Sequence, residues 1–326
     1  MHYLLPVKKK SMIVSDCAQT IAFSLFHFLI VEPKIKMYTI AQSAGGMHMK
    51  KGISIWSFTG QPLDVCFRMA KEAGFDGVEV SLDEKGAISL DSKESDMIAI
   101  RKMADRFGMP LYSLATGLYW TYSLTSDDPS EREKARSVAI KQIQVAAWLG
   151  CDTILVIPGI VGSDFTGKAP VVPYDVAYDR ALNAISAIAP VAENLGVSIG
   201  LENVWNRFLL SPLEMRNLID QIDSPAVGAY FDIGNVLAFG YPDQWIRILG
   251  PRIRKVHIKD YRTSVGGLSG FVDLLAGDVD YPAVMSALKE VGYDGWITAE
   301  VGPYRYFPEV VLTHTATAMD KIFNLI

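Results

Sequence analysis

Val227-Gly228-Ala229-Tyr230-Phe231-Asp232-Ile233-Gly234-Asn235 is an apolar run closed by an acid and then by turn residues. Short apolar runs of this kind read as strands buried on both faces of a parallel sheet. The same pattern recurs in three other places. Residues 197–201 lead into Glu202-Asn203, residues 253–258 contain His257 and lead into Lys259-Asp260, and residues 296–299 end at Glu300. Turn residues and a helical pattern follow each one, over residues 212–222, 244–249, 282–291 and 307–323. In a parallel barrel all strand ends of one polarity meet at one face. Glu202, Asp232, His257 and Glu300 are therefore expected to converge around one ion.

Upstream the alternation continues. Strands are expected at 52–57, 77–80, 111–115 and 153–157, each followed by a helix: 61–73, 93–107, 129–149 and 172–195, with Pro190 tolerated as a kink. Eight strand–helix units fill residues 49–326, the size of a (β/α)8 TIM barrel in a single domain. A doubly wound sheet would not need eight units, and no GxGxxG follows the first strand. The long connections 157–171 and 261–280 both follow strands. They belong to the active face, where such loops act as lids or substrate clamps.

Residues 1–48 read differently. Lys8-Lys9-Lys10 precedes an apolar stretch over 21–31 that resembles a signal peptide but is too short to span a bilayer. The Gly45-Gly46 pair fits a ribosome-binding site translated by mistake just before Met49. A dispensable or mis-assigned leader is the leading expectation, with export left open. The three cysteines, Cys17, Cys66 and Cys151, form no CxxC pair and suit a reducing, cytoplasmic setting. A formal charge of −5 offers no basic stripe for nucleic acid. Neither a membrane nor a nucleic acid is expected as a partner, and homo-oligomerisation stays open.

Acids at the ends of buried strands are costly unless something compensates them. One alone is as readily a helix cap or an ion-pair partner, but four at the same topological position favour a shared ion. Three carboxylates and one imidazole make an oxygen-rich set. It suits octahedral Mn²⁺, or Mg²⁺ or Co²⁺, better than a closed tetrahedral zinc site.

Glu202-Asn203, Asp232-Ile233-Gly234-Asn235, His257-Ile258-Lys259-Asp260 and Thr298-Ala299-Glu300, in this order and spacing, resemble the xylose-isomerase-like TIM-barrel superfamily of sugar and sugar-phosphate isomerases and epimerases. The resemblance covers Lys50 to the C-terminus. It implies that Glu202, Asp232, His257 and Glu300 bind the metal and that the two glutamates also move protons. The chemistry expected is proton transfer through a metal-stabilised enediolate, which yields an epimer or an aldose–ketose isomer of a small ketose or ketose phosphate. Many members carry a His where Asn235 stands. An Asn there looks more like the branch that epimerises ketopentose 5-phosphates at C3; Asn235 is expected to donate to a substrate oxygen or to cap the following turn.

Weaker signals surround the set. Glu79, near the end of the second strand, is expected in the pocket or in a salt bridge. Lys259 should share the His257 face, and Arg262 sits in a loop from which it would reach a substrate oxygen or phosphate. Trp56, Trp120, Trp205 and Tyr119 fall near strand ends and suit an apolar wall; plain packing is the competing reading. His314 lies in the last helix, away from the site. An inosose-type dehydratase on the same barrel is the alternative function. A three-zinc apurinic endonuclease would need more histidines than His257 and His314 and is the least favoured.

Overall fold

The computed structural model describes residues 49–163 and 171–326. The leader expected over 1–48 lies outside the described residues, as does the middle of the connection at 164–170. Among the described residues, eight parallel strands close a barrel. They are β1 (Lys50–Ser54), β2 (Gly77–Ser81), β3 (Leu111–Ala115), β4 (Thr153–Val156), β5 (Ser198–Glu202), β6 (Val227–Asp232), β7 (Ile253–Ile258) and, after an antiparallel ribbon of β8 (Asp260–Tyr261) and β9 (Phe271–Val272), β10 (Trp296–Ala299). The order around the barrel is β1-β10-β7-β6-β5-β4-β3-β2, and β2 pairs back to β1. No helix among the described residues is long and apolar enough to cross a membrane.

Among the described residues eight α-helices separate and follow the strands: α1 (Leu63–Ala73), α2 (Glu94–Arg106), α3 (Pro129–Leu149), α4 (Tyr174–Leu195), α5 (Pro212–Ile222), α6 (Pro242–Leu249), α7 (Tyr281–Glu290) and α8 (Val310–Phe323). Local chemistry sets their ends. Asp128 accepts the Ser130 N–H at 2.8 Å to open α3, and Gly150, at φ 80°, takes the left-handed turn that closes it. Ser211 and Glu214 form a reciprocal capping box on α5. Along α3 the buried positions Ala135, Val138, Ala139, Gln142, Ile143, Val145, Ala146 and Leu149 fall on one stripe against the sheet. Gln142 is its polar exception. Its amide donates to the Leu114 carbonyl at 2.8 Å and the Leu155 carbonyl at 3.1 Å, and its oxygen accepts the Tyr119 hydroxyl at 2.7 Å. Removing that amide strands buried partners, a loss of about 1–3 kcal/mol.

Several element boundaries differ from the sequence reading, three of them for a plain local reason. The first strand is β1, ending at Ser54 rather than at residue 57. The Ser54 hydroxyl accepts the Trp56 N–H and starts a 3₁₀ turn over Ile55–Ser57, a side-chain bond that competes with strand pairing. Helix α6 starts at Pro242, whose ring fixes φ for a first helical turn. Helix α8 starts at Val310, because Phe307 sits at φ 53°, outside the helical region.

Side chains fill the barrel interior. Tyr112 stacks on Trp296 with ring centroids 3.8 Å apart, and its hydroxyl meets the Thr298 hydroxyl at 2.8 Å. Gly52 makes room for that ring: a Cβ there would fall 1.9 Å from the Tyr112 hydroxyl. The interior is packed from below, which leaves the upper end to the functional groups.

Candidate metal centre and active site

Strands β5, β6, β7 and β10 are consecutive in the barrel, so the four ligand-type residues form one arc. Register sets their height. Asp232 pairs with His257, and Thr298 pairs with His257 from the other side. The Glu300 N–H donates to the Ile258 carbonyl at 3.2 Å, which extends the ladder past the end of β10. One ligand atom from each of Glu202, Asp232, His257 and Glu300 lies within 4.8 Å of the others. His257 Nδ1 stands 3.2 Å from Glu202 Oε1, 3.6 Å from Glu300 Oε2 and 3.8 Å from Asp232 Oδ2.

The Asp232 carboxylate is divided between two tasks. Its Oδ1 accepts the Asn235 N–H at 2.8 Å, which closes the turn after β6. Its Oδ2 is fully buried and accepts no hydrogen bond, although the Lys259 ammonium lies 3.0 Å away at an unfavourable angle. A buried carboxylate oxygen without a hydrogen bond, aimed at two glutamates and an imidazole nitrogen, is what a divalent cation would satisfy. The donor set fits such an ion.

Neighbouring residues hold the ligands in place. The Asn203 side chain pairs with the backbone of Asp232: its oxygen accepts the Asp232 N–H and its nitrogen donates to the Asp232 carbonyl, both at 2.8 Å. The Asn235 amide donates to the Asn203 carbonyl at 3.0 Å. Asp260 anchors the following loop, accepting backbone N–H groups from Tyr261, Gly277 and Val279 at 2.8–3.2 Å. The asparagines and the aspartate of the four motifs therefore brace the ligands and loops of the centre.

Electrostatics follow from burial and close charges. Burial pushes the Glu202 carboxyl up to about 7, against the hydrogen bond and charge of His257. Burial also raises Asp232, partly offset by Lys259 and His257. For Glu300 burial is outweighed by the Lys259 and His257 charges, and its carboxyl is held below the usual range. Burial alone would lower His257, but Glu79, a hydrogen bond to Glu202 and the other carboxylates raise it well above the usual imidazole value. Lys259 is raised as well, because Asp232, Glu300 and Glu202 outweigh its burial. Its ammonium pairs with Glu300 and lies 5.5 Å from the centroid of the Phe271 ring.

Above the arc lies a cavity of about 490 Å³. Glu202, Glu300, Lys259 and Asn235 line it, with Trp56 and Trp120 from the β1 and β3 ends and Phe271 from the loop after β7. Asp232 and His257 lie behind this lining. Of the other residues singled out in the sequence, Trp205 packs on Tyr261 and Phe271, and Tyr119 is bound to Gln142 in the core. His314, on α8, meets the Tyr304 hydroxyl.

Two residues named in the sequence do not line the cavity. Arg262 donates to the Ala276 carbonyl at 2.6 Å within its own loop and does not line the cavity. Glu79 is the middle residue of β2, since that strand runs to Ser81, and lies inside the barrel below the arc. Phe271, Val272 and Asp273 went unnoticed in the sequence. They reach the cavity because the β8–β9 ribbon folds back, a pairing of two-residue strands that leaves no periodic signal.

Known proteins are similar to this chain in sequence or in fold. The L-ribulose-5-phosphate 3-epimerase of Salmonella paratyphi C is 25% identical, over 70% of this chain and 78% of its own. The fructoselysine 3-epimerase of Shigella flexneri is 23% identical, over 78% of this chain and 90% of its own. A solved structure of L-ribulose 3-epimerase superposes with a TM-score of 0.70 at 18% identity, covering 85% of this chain and 95% of that one. The family model of the xylose isomerase-like TIM barrel matches residues 67–321. A match that runs from α1 into α8 takes in the whole ligand arc, and the chain belongs to the xylose isomerase-like TIM-barrel family.

Proposed function

We propose that the chain is a divalent-metal-dependent isomerase acting as a 3-epimerase of a small ketose or ketose phosphate. The observation that carries the reading is the division of labour in the arc. Glu202 and Glu300, its two outer members, line the cavity, while Asp232 and His257 stand behind them. Two carboxylates facing one substrate suit removal and return of a proton at a single carbon. One takes the C3 proton as the C3–H electron pair moves toward O2 of the ketose, and the other delivers a proton to the opposite face of C3. Glu300 is kept ionised by Lys259 for this role, and a bound cation would hold Glu202 in its charged form as well. A divalent cation held by Glu202, Asp232, His257 and Glu300, Mn²⁺ in preference to Mg²⁺ or Co²⁺, would supply positive charge for the oxygens that become negative. Names of relatives that act on C3 of ketose derivatives favour epimerisation over aldose–ketose exchange.

The barrel domain is assigned to residues 49–326 and to the cytoplasm, so a chain beginning at Met49 is expected to keep full activity. The deciding experiment incubates the metal-loaded protein in D₂O with a panel of free and phosphorylated ketoses and with an inosose. The expected result is a C3 epimer carrying deuterium at C3. Loss of water from the inosose with no epimer from any ketose would overturn the reading in favour of a lyase.

A further inference from the structure

Glu79 is fully buried, on β2, and its carboxylate reaches across the barrel interior to the far side of the metal arc. Its Oε1 lies 3.0 Å from His257 Nε2. Its Oε2 accepts the Ser113 hydroxyl at 3.0 Å and the Tyr230 hydroxyl. The Tyr230 ring also packs on the imidazole, with centroids 4.6 Å apart at 61°. Four strands, β2, β3, β6 and β7, thus meet at one carboxylate, which faces no solvent and does not line the cavity above the arc. Two donors fix one oxygen and leave the other to the ring.

We infer that Glu79 is a positioning residue of the metal centre, holding the His257 imidazole from inside the barrel. The inference rests on the metal-dependent reading above. An imidazole has two nitrogens, and the partner of one decides which proton stays. A carboxylate on Nε2 keeps the proton there and turns the Nδ1 lone pair toward Glu202, Asp232 and Glu300. The negative charge also makes that lone pair a better donor, and loss of such a partner typically weakens metal binding by about 10–100-fold. The alternative is a hydrogen-bond knot that only packs the barrel. In that case any member of the knot would be equivalent, and metal affinity would not single out Glu79.

Mn²⁺ dissociation constants of the full-length chain, stripped of metal and titrated by electron paramagnetic resonance, separate the two. Glu79→Gln keeps size and an acceptor oxygen but removes the charge; it is expected to weaken Mn²⁺ binding by about 10–100-fold. Ser113→Ala removes one donor to Glu79 and keeps the contact to His257. It is expected to lower the melting temperature while the Mn²⁺ constant stays within about threefold. A measurement on the wild type needs no variant to fold. In ¹⁵N-histidine-labelled protein, the ring that responds to Mg²⁺ should keep its proton on Nε2 and change at Nδ1. Wild-type binding of Mn²⁺ with Glu79→Gln equal to it would overturn this inference alone, as would a proton on Nδ1 of the Mg²⁺-loaded ring. A wild type that binds no divalent ion would overturn the proposed function as well.

Discussion

Strands β5, β6, β7 and β10 carry Glu202, Asp232, His257 and Glu300 at or beside their ends, whereas β1, β3 and β4 and the turns after them give the cavity Trp56, Thr116, Trp120, Leu155 and Ile157. One half of the barrel is ionic and the other apolar. Buried carboxylates tolerate one another only where cations are shared among them, so they gather on a single arc around His257 and Lys259. The opposite arc lines the cavity with no charged side chain, and apolar walls strengthen electrostatic interactions across it. Glu79 is the exception that joins the halves. It starts on the apolar side and reaches the imidazole of the ionic one.

The largest effect should come from breaking the ionic arc where it meets substrate. Glu202→Gln and Glu300→Gln keep an oxygen ligand and remove the base. Each should lower kcat by about 10²–10⁴-fold, roughly 3–5 kcal/mol of barrier. Asp232→Asn should act through affinity: a weaker Mn²⁺ constant, and a rate that excess Mn²⁺ partly restores. Steady-state kinetics over a Mn²⁺ titration tell the two classes apart. If both glutamine variants keep wild-type turnover with metal bound, the cluster is a structural centre and the two-carboxylate mechanism falls.

Proton linkage tests the same arc more gently. Glu202 is raised from 4.5 to about 7, and His257 is raised well above 6.5. A raised group binds its proton more tightly when folded, so its stabilisation is full below the unfolded value and is lost as pH rises through the folded one. For Glu202 that window runs from 4.5 to about 7. The metal-free chain therefore loses stability from these groups as pH rises. A divalent ion needs both deprotonated, so it should stabilise more at high pH. The gain in melting temperature from excess Mn²⁺ should be larger at about pH 8 than at about pH 6. A gain independent of pH would show that Glu202 and His257 do not hold the ion.

The ionic arc was legible in the sequence because each ligand sits at a strand end, a position that the alternation of strands and helices reveals. Glu202 and Asp232 are the last residues of β5 and β6, and Glu300 follows the last residue of β10. For Glu79 the sequence left the pocket and a salt bridge open; it lies one layer below the rim, in the middle of a strand that runs one residue further than read, and takes the second with His257. Phe271 and Asp273 were invisible because a ribbon of two-residue strands, not a periodic element, carries them to the cavity. Asn203 and Asn235 were visible, but their bracing of Asp232 depends on side-chain geometry that no spacing encodes.

The apolar arc should answer differently. Trp120→Ala removes a cavity wall with no ionisable group. It should raise KM by about 3–10-fold, near 1 kcal/mol, and leave kcat and the Mn²⁺ constant close to wild type. A collapse in kcat matching that of the glutamate variants would mean that the halves are not separable.

Arg262 should give the smallest change. From the sequence it is the natural partner for a phosphate, two residues beyond Asp260 and four before the Gly266-Gly267 pair. In the fold its guanidinium is spent within its own loop on the Ala276 carbonyl, beside the Thr263–Asp278 hydrogen bonds. An exposed side chain that braces a loop and lines no cavity contributes little to substrate affinity. Arg262→Ala should change KM by less than about threefold, equally for free and phosphorylated ketoses, with at most about 0.5–1 kcal/mol lost from stability. A tenfold rise in KM confined to the phosphorylated substrates would bring Arg262 into the site after all. It would also show that the loop after β7 rearranges when substrate binds, so that a third region, the ribbon of β8 and β9, would have to be added to the two halves of the barrel.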